Sequence, residues 1–171
     1  SGTLRFRSAG YPSPSSRVRT ISLASDLTIN NLVYESTASN QSYDYGPLWT
    51  LSGASAKFIV AGDFTMQQVS GVSNSVVANS GTIEARGAVS INTGANGGTT
   101  AIRLTGTSTQ TISHSAGTPP QGNWTIDKTA GSAVLGTDLT LSGTNQRVVM
   151  TRGKLDLGAK TLTLLSLIHI S

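Results

Sequence analysis

Six times this chain repeats a four-residue run in which two apolar side chains flank a Thr or Ser. The copies are DLTI (26–29), DFTM (63–66), AVSI (88–91), NWTI (123–126), DLTL (138–141) and TLTL (161–164). Successive side chains of a strand point to opposite faces, so each copy presents an apolar face and a hydroxylated one. A longer pair, GTIEARGAVSI (81–91) and GKLDLGAKTLTL (153–164), repeats a Gly, a strand with one acid, a Gly-containing turn and an alternating strand. No stretch keeps apolar residues at three- and four-residue spacing for a dozen positions, which leaves no candidate for a long amphipathic helix. The loops read from their turn residues: SAGYPSPSS (8–16), ESTASNQSYDYGP (35–47), NTGANGGT (92–99) and SAGTPPQGN (115–123).

Repetition of one strand type with loops of variable length predicts an all-β fold, a right-handed parallel β-solenoid with irregular coils. An antiparallel β-sandwich is the alternative. At about two dozen residues per coil the chain would make roughly seven coils. The inward positions predicted from the alternation are Ile29, Leu32, Ile59, Phe64, Ile83, Ile91, Ile102, Leu104, Ile112, Ile126, Leu139, Leu141, Leu155 and Leu162. Trp49 and Trp124 are expected to fill coil corners.

Composition narrows the function classes. Charged residues make up 12% of the chain, about half the usual fraction, so the excess of 12 basic over 8 acidic side chains is thinly spread. Aromatic residues are 5%, too few for a base-stacking platform, and nucleic acid is not an expected partner. The absence of Cys excludes disulfides and thiolate metal sites. No apolar run reaches the roughly 20 residues a membrane-crossing helix needs, and membrane insertion is not expected.

No constellation for catalysis emerges. The chain has no Gly-x-Ser-x-Gly elbow, P-loop or HExxH run, and His114 sits beside a loop as a turn residue. The acids Asp26, Glu35, Asp44, Asp63, Glu84, Asp127, Asp138 and Asp156 are scattered singly, whereas glycoside hydrolysis needs two carboxyl groups at a set separation. Asp26, Asp63 and Asp138 recur just before an apolar-Thr-apolar strand, where a carboxylate accepts backbone N–H bonds; they are expected to be structural turn caps. The reading is therefore of a protein that is not an enzyme and that uses no metal and no cofactor. The candidate contact surface is the long polar loop with Tyr43, Asp44 and Tyr45 together with Trp49.

The segments LTGTSTQTIS (104–113), WTIDKTAGSAVLGTDLTLSG (124–143) and GKLDLGAKTLTL (153–164), with ASAKFIVAGDFTM (54–66), resemble the repeat regions of large secreted surface proteins of Bacteroidota-like bacteria. The resemblance implies a β-helix-like fold, a secreted or cell-surface location, and a non-catalytic structural or adhesive role with surface glycans or other cell-surface proteins as partners. A carbohydrate-binding or carbohydrate-cleaving β-helix is the alternative, and an ice-binding face built on Thr rows is a distant third. The final residues, LSLIHIS (165–171), resemble the translation of a transposase-derived sequencing adapter. Residues 1–164 are accordingly expected to be a single solenoid fragment of metagenomic origin, with a non-native tail. Open coil ends carry unpaired backbone groups, and self-association through them is expected.

Overall fold

The computed structural model describes residues 2–8, 18–36, 48–52, 57–69 and 75–165. Among these residues there is no helix, and every strand pairing is parallel and joins one coil to the next. The result is a β-solenoid of about five turns, against the roughly seven coils expected. The coils differ in length. Residues paired at corners lie 31 apart for Asp26 and Lys57 but 19 apart for Ser80 and Thr99.

Three walls enclose the core. The first stacks β1 (Thr3–Ser8), β4 (Asn31–Ser36), β7 (Phe64–Gln68), β10 (Val89–Ile91), β12 (Gln110–His114) and the second half of β13 (Trp124–Leu135). The second stacks β3 (Leu27–Ile29), β6 (Lys57–Val60), β9 (Thr82–Ala85), β11 (Ala101–Leu104), the first half of β13 and the first part of β15 (Val148–Asp156), whose last residues cross to the first wall beside the second half of β13. The third is less continuous, with β2 (Val18–Ser22), β5 (Leu48–Ser52) and β8 (Val77–Asn79) in one sheet and β14 (Leu139–Leu141) beside β16 (Leu162–Leu164).

The recurring strand run therefore falls on all three walls. Leu27–Ile29 is on the second, Phe64–Gln68 on the first, Leu139–Leu141 on the third. That is why its copies are unevenly spaced: the run specifies a buried wall segment, and each coil needs more than one.

The core is a column of inward side chains, among them Leu32, Phe64, Ile83, Ile91, Ile102, Leu104, Ile112, Ile126, Leu139 and Leu141, all buried as the alternation predicts. Ile29, Leu155 and Leu162 are partly buried against it. Each fully buried side chain of this size stabilises the fold by about 1.5–3 kcal/mol. Ile59 departs from expectation. In Lys57–Val60 the buried residues are Phe58 and Val60, and Ile59 stands in the outward row beside Glu84. Three apolar residues in succession fit either phase of a strand, and packing of Phe58 over Ile83 selects the one observed. Trp124 is buried at the start of β13, with its indole N–H donating to the Pro120 carbonyl at 3.0 Å. Toward the N-terminal coils the core is aromatic: Phe6 lies 5.1 Å from Tyr34 and 5.8 Å from Phe58, and Tyr34 meets Phe64 edge-on.

Candidate functional site

Polar residues at the corners join the coils. Asp26 Oδ1 accepts the Lys57 N–H at 3.1 Å, Asp63 Oδ1 that of Ala88 at 2.8 Å, and Asp138 Oδ1 that of Thr161 at 2.8 Å. In each case the donor belongs to the following coil. Asn31, Asn79 and Asn123 do the same for Asp63, Thr99 and Arg147. These side chains satisfy backbone groups that the strand ladders leave open at the bends.

The contact surface expected at Tyr43, Asp44 and Tyr45 lies outside the described residues. Trp49 is in β5, its backbone paired with Arg19 and Ala78. His114 ends β12, where its backbone N–H donates to Thr137 Oγ1 and its Nε2 lies 2.9 Å from the Gly117 carbonyl.

What sequence reading missed is on the outer side of the second wall. There a groove of about 560 Å³ is lined by Glu84, Arg86, Arg103, Asp127 and Arg152, together with Thr105, Thr107, Ser108 and Thr129. Register assembles it. Glu84 pairs with Arg103 across β9 and β11, and Asp127 with Arg152 across β13 and β15. One side of the groove is the corner 105–109 between β11 and β12, which has five residues where the corner 86–88 below has three.

Two carboxylates anchor the charges. Asp127, with 2% of its side chain exposed, accepts from Arg152 Nε at 2.6 Å and also from Arg103 Nη2. Hydrogen bonds from Arg152, then Arg103, hold its pKa at about 2. Glu84, 9% exposed, accepts from Arg86 Nη2 and from the Thr105 hydroxyl, each at 3.0 Å, and lies 3.7 Å from Lys57 Nζ. The arginines are far more open, at 47% for Arg86, 42% for Arg103 and 58% for Arg152. Among the described residues Arg103 Nε is buried without an acceptor.

A second charged cluster lies on the first wall. Glu35 is buried and pairs with Arg5 and Arg7, with Gln67 donating as well. Burial pushes its pKa up, but the bonds from Arg7 and Gln67 and the charge of Arg5 bring it below the usual range.

Beneath the groove the same corner holds a buried ammonium. Lys128 Nζ donates to the Gly106 carbonyl, to the Ser108 carbonyl at 2.9 Å and to Gln110 Oε1 at 2.6 Å. Burial lowers its pKa from the ordinary lysine value. Gln110 in turn donates through Nε2 to the Ala85 and Gly87 carbonyls of the coil below, and its Oε1 accepts the Gly106 N–H at 2.9 Å. The wall of the groove is thus fixed from inside by a glutamine and a lysine with every polar end occupied. The signal for Gln110 was present in the sequence, since the run Gly-Thr-Ser-Thr-Gln at 106–110 returns as Gly-Thr-Asn-Gln at 143–146.

No family model matches the chain, and neither a curated protein nor a solved structure resembles it at a significant level.

Proposed function

We propose that this chain is a non-catalytic structural and adhesive segment of an exported cell-surface protein, which presents the outer side of its coils to glycans or to other surface proteins. The observation that carries the reading is the contrast within the molecule. Nearly all of the described chain serves one continuous stack, stitched from coil to coil by Asx side chains, and the concave polar groove sits where one corner is enlarged. A stack in which each coil contacts its neighbours suits an extended spacer, and an enlarged corner adds contact surface without disturbing the walls.

The chemistry of the groove also favours binding over cleavage. Glycosidases need one carboxyl group whose pKa is raised so that it can donate a proton. Asp127 is shifted the other way, and Glu84 is already engaged by Arg86, Lys57 and Thr105. Both carboxylates act as anchors for cations.

Sequencing the source DNA across both ends of the reading frame, with antibody labelling of intact cells that express it, tests this role. The expected result is an upstream export signal, further coils in frame, and labelling without permeabilisation. A frame with no export signal whose product appears only in the soluble cell interior would overturn it.

A further inference from the structure

We propose that the groove on the second wall binds the carboxylate or sulfate groups of an acidic polysaccharide, with Arg86, Arg103 and Arg152 as its anion-binding residues. The inference deepens the adhesive role and rests on it.

Exposure decides which charge a ligand meets. The groove is lined by three guanidiniums and two carboxylates, but the carboxylates are 2% and 9% exposed while the guanidiniums are 42–58% exposed. Its accessible surface is therefore cationic. Asp127 contacts Arg152 through Nε, and Arg103 through Nη2, so neither guanidinium gives all its N–H groups to the protein. A guanidinium presents donors in a planar fork that matches carboxylates and sulfates, and here the anchoring carboxylate already holds the fork in place. Preorganisation of this kind lowers the entropy lost on binding.

Spacing points to a polymer. Arg86 follows β9, Arg103 is on β11 and Arg152 is on β15, so their backbone positions span three strand intervals along the stack axis, roughly 14 Å at about 4.8 Å per interval. The guanidiniums of Arg103 and Arg152 converge on Asp127 while Arg86 is anchored on Glu84, which makes two cationic positions along the axis that successive acidic groups of one chain fill and a single small anion does not. Exposed hydroxyls of Thr107, Ser108 and Thr129 line the same groove and offer both donors and acceptors to sugar hydroxyls. No aromatic ring lines it. A neutral glycan would lack a stacking platform there, and so would a single-stranded nucleic acid.

The test is titration calorimetry of the full chain with polygalacturonate, dextran sulfate, unmodified dextran and an oligothymidylate at two salt concentrations. Binding is expected for polygalacturonate, dextran sulfate or both, the two arms separating carboxylate from sulfate recognition. It should weaken as salt rises and be absent with dextran. Arg152→Gln should reduce affinity by about tenfold or more, the effect of losing charged hydrogen bonds. Because that change also frees one side of Asp127, a second variant, Thr107→Tyr, narrows the groove from an exposed position; it should abolish binding with the melting temperature unchanged. Equal binding of dextran, tighter binding of the oligothymidylate, or binding unaffected by both variants would overturn the proposal. Absence of binding to every polymer, in a protein that still labels the cell surface, sinks the groove and leaves the structural role standing. New reducing ends in the bound polysaccharide would sink the non-catalytic reading and leave the anion site standing.

Discussion

The corners at Gln110 and Gln146 are built from the same short run of residues and stand on different edges of the coil. Gln110 joins the second wall to the first, and Gln146 joins the third to the second. At each, the side-chain amide donates to two carbonyls of the coil below: Ala85 and Gly87 for Gln110, Pro120 and Gly122 for Gln146. At each, the amide oxygen accepts a glycine N–H at 2.9 Å, from Gly106 or Gly143. Both glycines are required by close approach, since a Cβ at Gly106 would collide with the Arg86 carbonyl and one at Gly143 with that of Gln121. The run is thus a portable corner unit whose polar groups are all satisfied within two coils. What differs is that Gln110 also accepts from Lys128, and that its corner, 105–109, is enlarged into one side of the groove. A shared bend became a site by gaining a buried cation and extra residues.

Four measurements probe the difference between these two corners. Gln110→Ala leaves the Gly87 carbonyl and the Gly106 N–H without their side-chain partner, takes one acceptor from the Lys128 ammonium in a buried corner, and should cost about 3–5 kcal/mol in denaturant unfolding. A loss below about 1 kcal/mol would mean that other groups or water close the corner equally well. Gln146→Ala leaves the Gly122 carbonyl and the Gly143 N–H without their side-chain partner and touches no ammonium, so it should cost less, about 2–3 kcal/mol; an equal or larger loss would remove Lys128 from the account. A double-mutant cycle isolates that term. Lys128→Met should couple to Gln110→Ala by about 1–2 kcal/mol and to Gln146→Ala by no more than about 0.5 kcal/mol. The smallest effect is in alkaline solution. Because burial lowers the Lys128 pKa in the folded state, the unfolded chain holds more protons in the window just below pH 10.5. The wild-type protein should therefore gain stability relative to Lys128→Met as pH rises through that window, and parallel pH profiles would refute the buried-ammonium description.

Much of the fold was legible in the sequence. Alternation in DLTL or AVSI reports a half-buried strand, because the period of two is set by the backbone itself. Turn-rich runs such as NTGANGGT marked bends for a similarly local reason. Ile59 was misread where alternation is ambiguous, since Phe58, Ile59 and Val60 are all apolar. Coil boundaries are not legible from the strand run, because it marks wall segments on all three sides of a coil. The candidate site was not legible at all. Its acids and arginines look isolated along the chain, with Arg103 and Asp127 24 residues apart and Asp127 and Arg152 25 apart. The N–H groups that the strand-start Asp residues accept come from the coil that follows, a pairing that local spacing does not reveal.

The strand class, most of the inward side chains and the residues able to make a bend follow from the order of residues. These depend on dihedral preferences and side-chain polarity within a few positions. Tertiary structure alone decided which residue of one coil lies against which residue of the next. That register depends on loop lengths that vary from coil to coil and on core packing over the whole stack, such as Phe58 over Ile83. Glu84, Arg103, Asp127 and Arg152 acquire their meaning only through it.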